Sequence, residues 1–178
     1  MEPRPGPGDT PAQAGGGPNP PHPPGLYIHI PFCIRKCPYC AFYSVTDLSL
    51  VPAFIDALTT ELDLYRDAFP SFDTVYLGGG TPSVLTAGPL GAILDAVRRR
   101  FALAGGAEIT VEANPGDLNA DLLSALKTMG VNRLNIGCQS FDDDALAFLG
   151  RRHTAGRARE AILAAREAGF SELGLDLI

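Results

Sequence analysis

Long apolar runs are missing from this 178-residue chain, although 46% of its residues are hydrophobic. No stretch approaches the roughly 18 to 20 consecutive apolar residues of a membrane span, and the N-terminus has no charged-then-apolar leader. Basic clusters are equally scarce. The longest is Arg98 to Arg100, within a net charge of -6, so the electrostatic footprint of a nucleic-acid binder is excluded. Cysteine is rare as well, with four in the chain. A mildly acidic cytoplasmic protein is expected, and a reducing compartment argues against a disulfide framework. Three of the four cysteines nevertheless fall within eight residues, CIRKCPYC at 33–40. Clustered thiols in that setting point to metal or redox chemistry.

Residues 1–24 hold nine of the sixteen prolines and almost no aliphatic side chains. Such a segment cannot bury enough surface to offset chain entropy and is expected to be a disordered tail, with His22 a solvated residue within it. A single domain is expected over 25–178. LYIHIPF (26–32), DTVYLGG (73–79), EITVEAN (108–114), RLNIGCQ (133–139) and ELGLDLI (172–178) read as strands. Helical spacing fills the intervals. Phe54, Ile55, Leu58, Leu62 and Tyr65 form one apolar face behind Pro52, and Leu90, Ile93, Leu94, Val97 and Phe101 form a second. Leu122, Leu123, Leu126 and Met129 follow Asn119 as N-cap and stop at Gly130; a last helix runs from Thr154 through Ile162 and Ala165 to Gly169.

Five strands alternating with four helices imply an α/β fold with a parallel sheet. The unusual residues decide between an open sheet and a barrel. The cysteine loop, GGGTPS, EANPGD and CQSFDD follow strands one to four, and a β/α barrel gathers its site on that rim. An open doubly wound sheet would focus its ligand at one switch point instead. Because the last strand runs to the final residue, the expectation is an incomplete parallel (β/α) barrel truncated in the fifth strand.

Cys33-x3-Cys37-x2-Cys40 offers three thiolates from one loop. An iron–sulfur cube with three protein ligands keeps one iron open. A zinc site completed by His29 or His22 is the alternative from residue types alone, since Cys3His is a common tetrahedral set. Cys138 reads as a small buried residue rather than a distant fourth ligand.

YIHIPFCIRKCPYCAFYS resembles the signature of the radical SAM superfamily, in its oxygen-independent coproporphyrinogen III oxidase-like branch. YLGGGTPS, TVEANPGDL, RLNIGCQSF, LGRRHT and GLDLI follow in that branch's order, so the resemblance covers residues 26–178. It implies a radical SAM type barrel carrying a [4Fe–4S] cluster on Cys33, Cys37 and Cys40, with S-adenosylmethionine (SAM) at the open iron. Carried over position by position, Tyr27 would sit beside SAM, Tyr39 next to its adenine, and Glu112 against its ribose. Gly79, Gly80 and Thr81 would let backbone approach the methionine end, where a Cβ would intrude. Gln139, Arg151 and Asp176 match the remaining SAM-contacting positions, Arg151 being suited to a carboxylate.

That branch holds both porphyrinogen dehydrogenases and HemW-type haem chaperones, which bind haem and pass it to acceptor proteins. Dehydrogenases usually have a further cysteine two residues after the third; here that position is Phe42. CPYCAFYS and LGRRH are more similar to the chaperone subgroup, although Ala41 replaces its usual Asp and Cys138 its usual Val. The resemblance places that subgroup's haem-binding residues in a C-terminal region outside these residues. A coproporphyrinogen III dehydrogenase of porphyrin biosynthesis is the alternative, and a zinc-stabilised interaction domain a third.

Overall fold

The computed structural model describes residues 23–69 and 71–178. Most of the expected tail, His22 included, lies outside the described residues. One sheet organises the rest. Its strands are β1 (Gly25–Ile30), β2 (Ser71–Gly79), β3 (Ala102–Ala113), β4 (Arg133–Gln139) and β5 (Glu172–Leu177), in the order β1-β2-β3-β4-β5 with every neighbour parallel. An unbroken sequential order contains no switch point, so the sheet is an arc of a β/α barrel and not a doubly wound sheet.

Helices α1 (Val51–Tyr65), α2 (Ala87–Arg100), α3 (Ala120–Thr128), α4 (Asp143–Phe148) and α5 (Ala155–Glu167) fill the connections. Strand alternation explains where they pack. Ile28, Ile30, Val75, Leu77, Ile109, Val111, Leu134 and Ile136 are buried and share one cluster with Leu90, Ile93 and Leu94 of α2 and Leu122, Leu123 and Leu126 of α3. Side chains between them in sequence, such as Tyr76, Glu112 and Asn135, point to the opposite face. Cys138 is fully buried in the apolar cluster, as its sequence context suggested.

Several ends follow the expected local chemistry. Pro52 sits in the first turn of α1, Asn119 Oδ1 accepts the Leu122 N–H at 2.8 Å to cap α3, and Gly130 leaves that helix at φ +80°. Other boundaries differ. Tyr65 is half-exposed at the end of α1, and Phe101 lies just beyond α2 as its extended C-cap while staying buried in the core against Phe72. β3 begins six residues before the expected position, α4 is an additional six-residue helix, and β1 ends at Ile30 because Pro31 follows with no N–H to donate. Among the described residues, no helix is long and apolar enough to cross a membrane.

Candidate cofactor site at the strand ends

The segment after β1 has little regular structure, so its shape depends on how it is tethered. At its base, Val45 N–H donates to Pro31 O at 2.7 Å and Cys33 N–H to Val45 O at 3.0 Å. Gly80 N–H reaches Ile30 O and Thr81 N–H reaches Phe32 O, both at 2.8 Å, so the end of β2 grips the entrance of the loop. This gives the glycines a different physical reason from the expected one. A Cβ at Gly80 would lie 2.8 Å from Phe32 O and 2.9 Å from Ile30 O, while Gly79 has φ +111° and would strike the His29 ring. Close backbone packing within the protein itself already demands both glycines.

Cys33, Cys37 and Cys40 are free thiols of intermediate burial around a hollow of about 50 Å³. Cys33 Sγ lies 3.4 Å from Thr81 Oγ1, and Arg151 Nη1 donates to Cys37 Sγ at 3.7 Å. Arg151 Nε and Ser44 Oγ are buried beside the hollow with no partner among the described residues. No three His, Cys, Asp or Glu side chains among the described residues converge on one metal-ion position. Thiolates on an iron–sulfur cube bind separate irons, so sulfurs spread around a hollow fit a cluster better than a lone zinc. His29 does not complete a Cys3His set: Nε2–H donates to Tyr43 O at 2.9 Å, and Nδ1 accepts from Tyr27 at 3.1 Å.

Next to the hollow opens a cavity of about 370 Å³, a volume ordinary for small-molecule sites of roughly 300–1,000 Å³. Cys40, Tyr39, Thr81 and Arg151 belong to both walls. Of the nine SAM positions expected from the sequence, Tyr39, Gly79, Gly80, Thr81, Glu112, Gln139, Arg151 and Asp176 line the cavity. Tyr27 does not. It lies one residue pair along β1 from the rim, 54% exposed, stacked on Tyr76 at 6.0 Å. Its register partner Tyr76 lines the cavity at the same level of the sheet, so the ring on which Tyr27 stacks holds that place in the wall.

Polar groups in the cavity are held from several strands. Glu112 accepts from Tyr76 OH at 2.8 Å and from Gly79 N–H at 3.0 Å. Burial and the Glu112 carboxylate push the Tyr76 phenol well above its ordinary value, so it remains a donor at neutral pH. Asp176 accepts both its hydrogen bonds, at 3.0 and 2.9 Å, from Asn135 Nδ2. Arg151 Nη2 donates to Gly137 O at 2.7 Å, and its Nη1 to Tyr39 OH at 3.1 Å. Gln139 has φ +67°, where a side chain is strained, beside a register shift between β4 and β5. That conformation turns the chain out of the strand at the rim. Sequence reasoning missed Tyr76, Asn114, Asn135 and Gly137 as lining residues. Tyr76 and Asn135 stand on the same strand face as Glu112, so period-two alternation was the signal available.

An α/β arc whose strand ends join a three-thiol hollow to a polar cavity has the layout of a β/α barrel that gathers its site on one rim. The profile of the radical SAM superfamily matches residues 27–178, and the chain belongs to that superfamily. It is 42% identical over 161 residues to the heme chaperone HemW of Escherichia coli (strain K12), covering 88% of this chain and 42% of that protein. Heme chaperone HemW of Mycobacterium tuberculosis (strain ATCC 25618 / H37Rv) is 41% identical over 168 residues, covering 90% of this chain and 43% of the relative. The chain therefore spans a little over two-fifths of the length of these curated relatives. Among solved structures, coproporphyrinogen III oxidase (HemN) from Escherichia coli, a radical SAM enzyme, superposes with a TM-score of 0.81 at 29% identity, over 88% of this chain and 37% of that one.

Proposed function

We propose that this chain supplies the cluster-binding and SAM-binding face of a cytoplasmic haem chaperone of the radical SAM superfamily. In this reading Cys33, Cys37 and Cys40 hold a [4Fe–4S] cluster, and the neighbouring cavity takes SAM. A bound, reduced cluster on these three thiolates would supply a single electron to the SAM sulfonium. Glu112 and Asp176 offer anionic acceptors, and Arg151 a cation for a carboxylate. Tyr39 presents an aromatic face to the adenine, and Gly79, Gly80, Thr81 and Gln139 contribute the walls. Tyr27 acts from outside the cavity, bracing Tyr76 and His29. Haem and a haem-acceptor protein are the partners, bound by parts of the full-length protein beyond these residues.

The observation that carries this reading is the shared wall: eight residues expected around SAM line one cavity that adjoins the thiols through Cys40. The names of the relatives at 36–42% identity support the chaperone assignment. So does Phe42, a cavity-lining phenylalanine where the dehydrogenases carry a cysteine. The backbone likeness to HemN favours a second reading, oxidative decarboxylation of coproporphyrinogen III. To separate them, the full-length protein is reconstituted anaerobically with iron and sulfide, reduced, and mixed with SAM and coproporphyrinogen III, and the tetrapyrroles are chromatographed. Cluster-loaded, haem-binding protein that forms no decarboxylated product is the expected result. Product over many turnovers would make it a dehydrogenase, and a Cys37→Ser protein with full iron and sulfide would refute the ligand assignment for both.

A further inference from the structure

The free end of the cysteine loop rests on the connection between α4 and α5. Gly150 is the left-handed residue that ends α4, with φ +67°; its N–H returns to Ala147 O at 3.0 Å and the Arg151 N–H to Leu146 O at 2.9 Å. That turn presents two surfaces to the loop. Gly150 O accepts from the Arg35 guanidinium, and Pro38 packs so closely that a Cβ at Gly150 would lie 2.9 Å from its Cδ. Arg151 then passes beneath the loop, braced by Gly137 O at 2.7 Å, with Nη1 at 3.1 Å from Tyr39 OH and 3.7 Å from Cys37 Sγ.

We propose that Arg151, aimed by the Gly150 turn, sets the reduction potential of the cluster through an N–H···S hydrogen bond to Cys37. This role is separate from any contact Arg151 makes with SAM, and it rests on the reading that Cys37 is a cluster ligand. One-electron reduction places additional negative charge on the cluster and its thiolate sulfurs. A donated N–H and a fixed positive charge favour that reduced form and therefore raise the midpoint potential. Three further contacts act as positioning: Gly137 O and Tyr39 OH orient the guanidinium fork, and Pro38 against Gly150 fixes the distance of the loop from it.

The test uses full-length protein reconstituted anaerobically, without SAM, and titrated with dithionite and redox mediators while the cluster absorbance or its electron paramagnetic resonance signal is followed. Arg151→Met is expected to shift the midpoint to more negative potential at unchanged iron and sulfide content. Arg151→Lys, which restores charge but not the fork, should fall between it and wild type. Gly150→Ala keeps the guanidinium but strains the left-handed turn that aims it and crowds Pro38, and should shift the midpoint in the same negative direction. A purely structural role would lower cluster content without ordering the midpoints in this way. Loaded variants that all keep the wild-type midpoint would overturn the proposal. Wild-type protein that takes up no iron and sulfide would instead overturn the reading on which it rests.

Discussion

Glu112 is oriented by the protein alone: both carboxylate oxygens are engaged, one by Tyr76 OH and one by Gly79 N–H. Removing the carboxylate leaves a half-buried phenol and a backbone N–H unpaired, and it removes an anionic acceptor from the cavity wall. Hydrogen bonds to charged groups contribute about 1.5–3 kcal/mol. Glu112→Ala should therefore weaken SAM binding by roughly tenfold or more with iron and sulfide unchanged, as measured by calorimetric titration of the cluster-loaded full-length protein. Unaltered affinity would make Glu112 a brace for the end of β2 and nothing else. The grouping of the three cysteines around one hollow was legible at this scale because spacing within one loop is a local property. Tyr76 and Asn135 were not, since alternation assigns a residue to a face without saying which residues of five strands meet at one cavity.

Elements were legible where local chemistry and packing agree. β4 came out with its observed bounds, and the N-cap and stop of α3 are where Asn119 and Gly130 place them. The early part of β3, ALAGGA, has no strand-like composition; it is extended because Ser71 and Phe72 pair with Ala102 and Leu103 across a register shift. With only six residues, α4 is too short for periodicity to reveal, though Asp142 caps it through the Ala145 N–H at 2.8 Å. The connection after α4 is secured to β4 by His153, which is buried and donates through Nε2 to Cys138 O at 3.0 Å, while Nδ1 has no partner among the described residues. Burial pulls this imidazole below the ordinary histidine value, against the opposing pull of the Cys138 carbonyl. The unfolded chain then binds the proton more readily than the folded one. Stability contributed by neutral His153 is complete above the unfolded value, about 6.5, and is lost as pH falls from there toward the depressed folded value. Thermal melts across that window should show a falling midpoint in the wild type and a flatter profile in His153→Gln. Equal slopes would remove His153 as the cause.

At the scale of the whole molecule, each strand divides its residues between two tasks. Leu134 is fully buried against the helices, while its neighbour Asn135 faces the cavity. Leu134→Ala should cost roughly 2–5 kcal/mol in denaturant unfolding of the full-length protein. Asn135→Ala should cost far less but free Asp176, whose carboxylate takes both its hydrogen bonds from that amide. Comparable losses from the two would contradict the division. The fold class was readable because this two-residue rhythm recurs in strand after strand, with the unusual residues falling at their C-terminal ends. Such a sheet behaves as a text in which odd and even letters spell different messages. Mutational drift can rewrite the chemistry of the concave side while leaving the grammar of the core untouched, so one scaffold can host many reactions without being rebuilt for each.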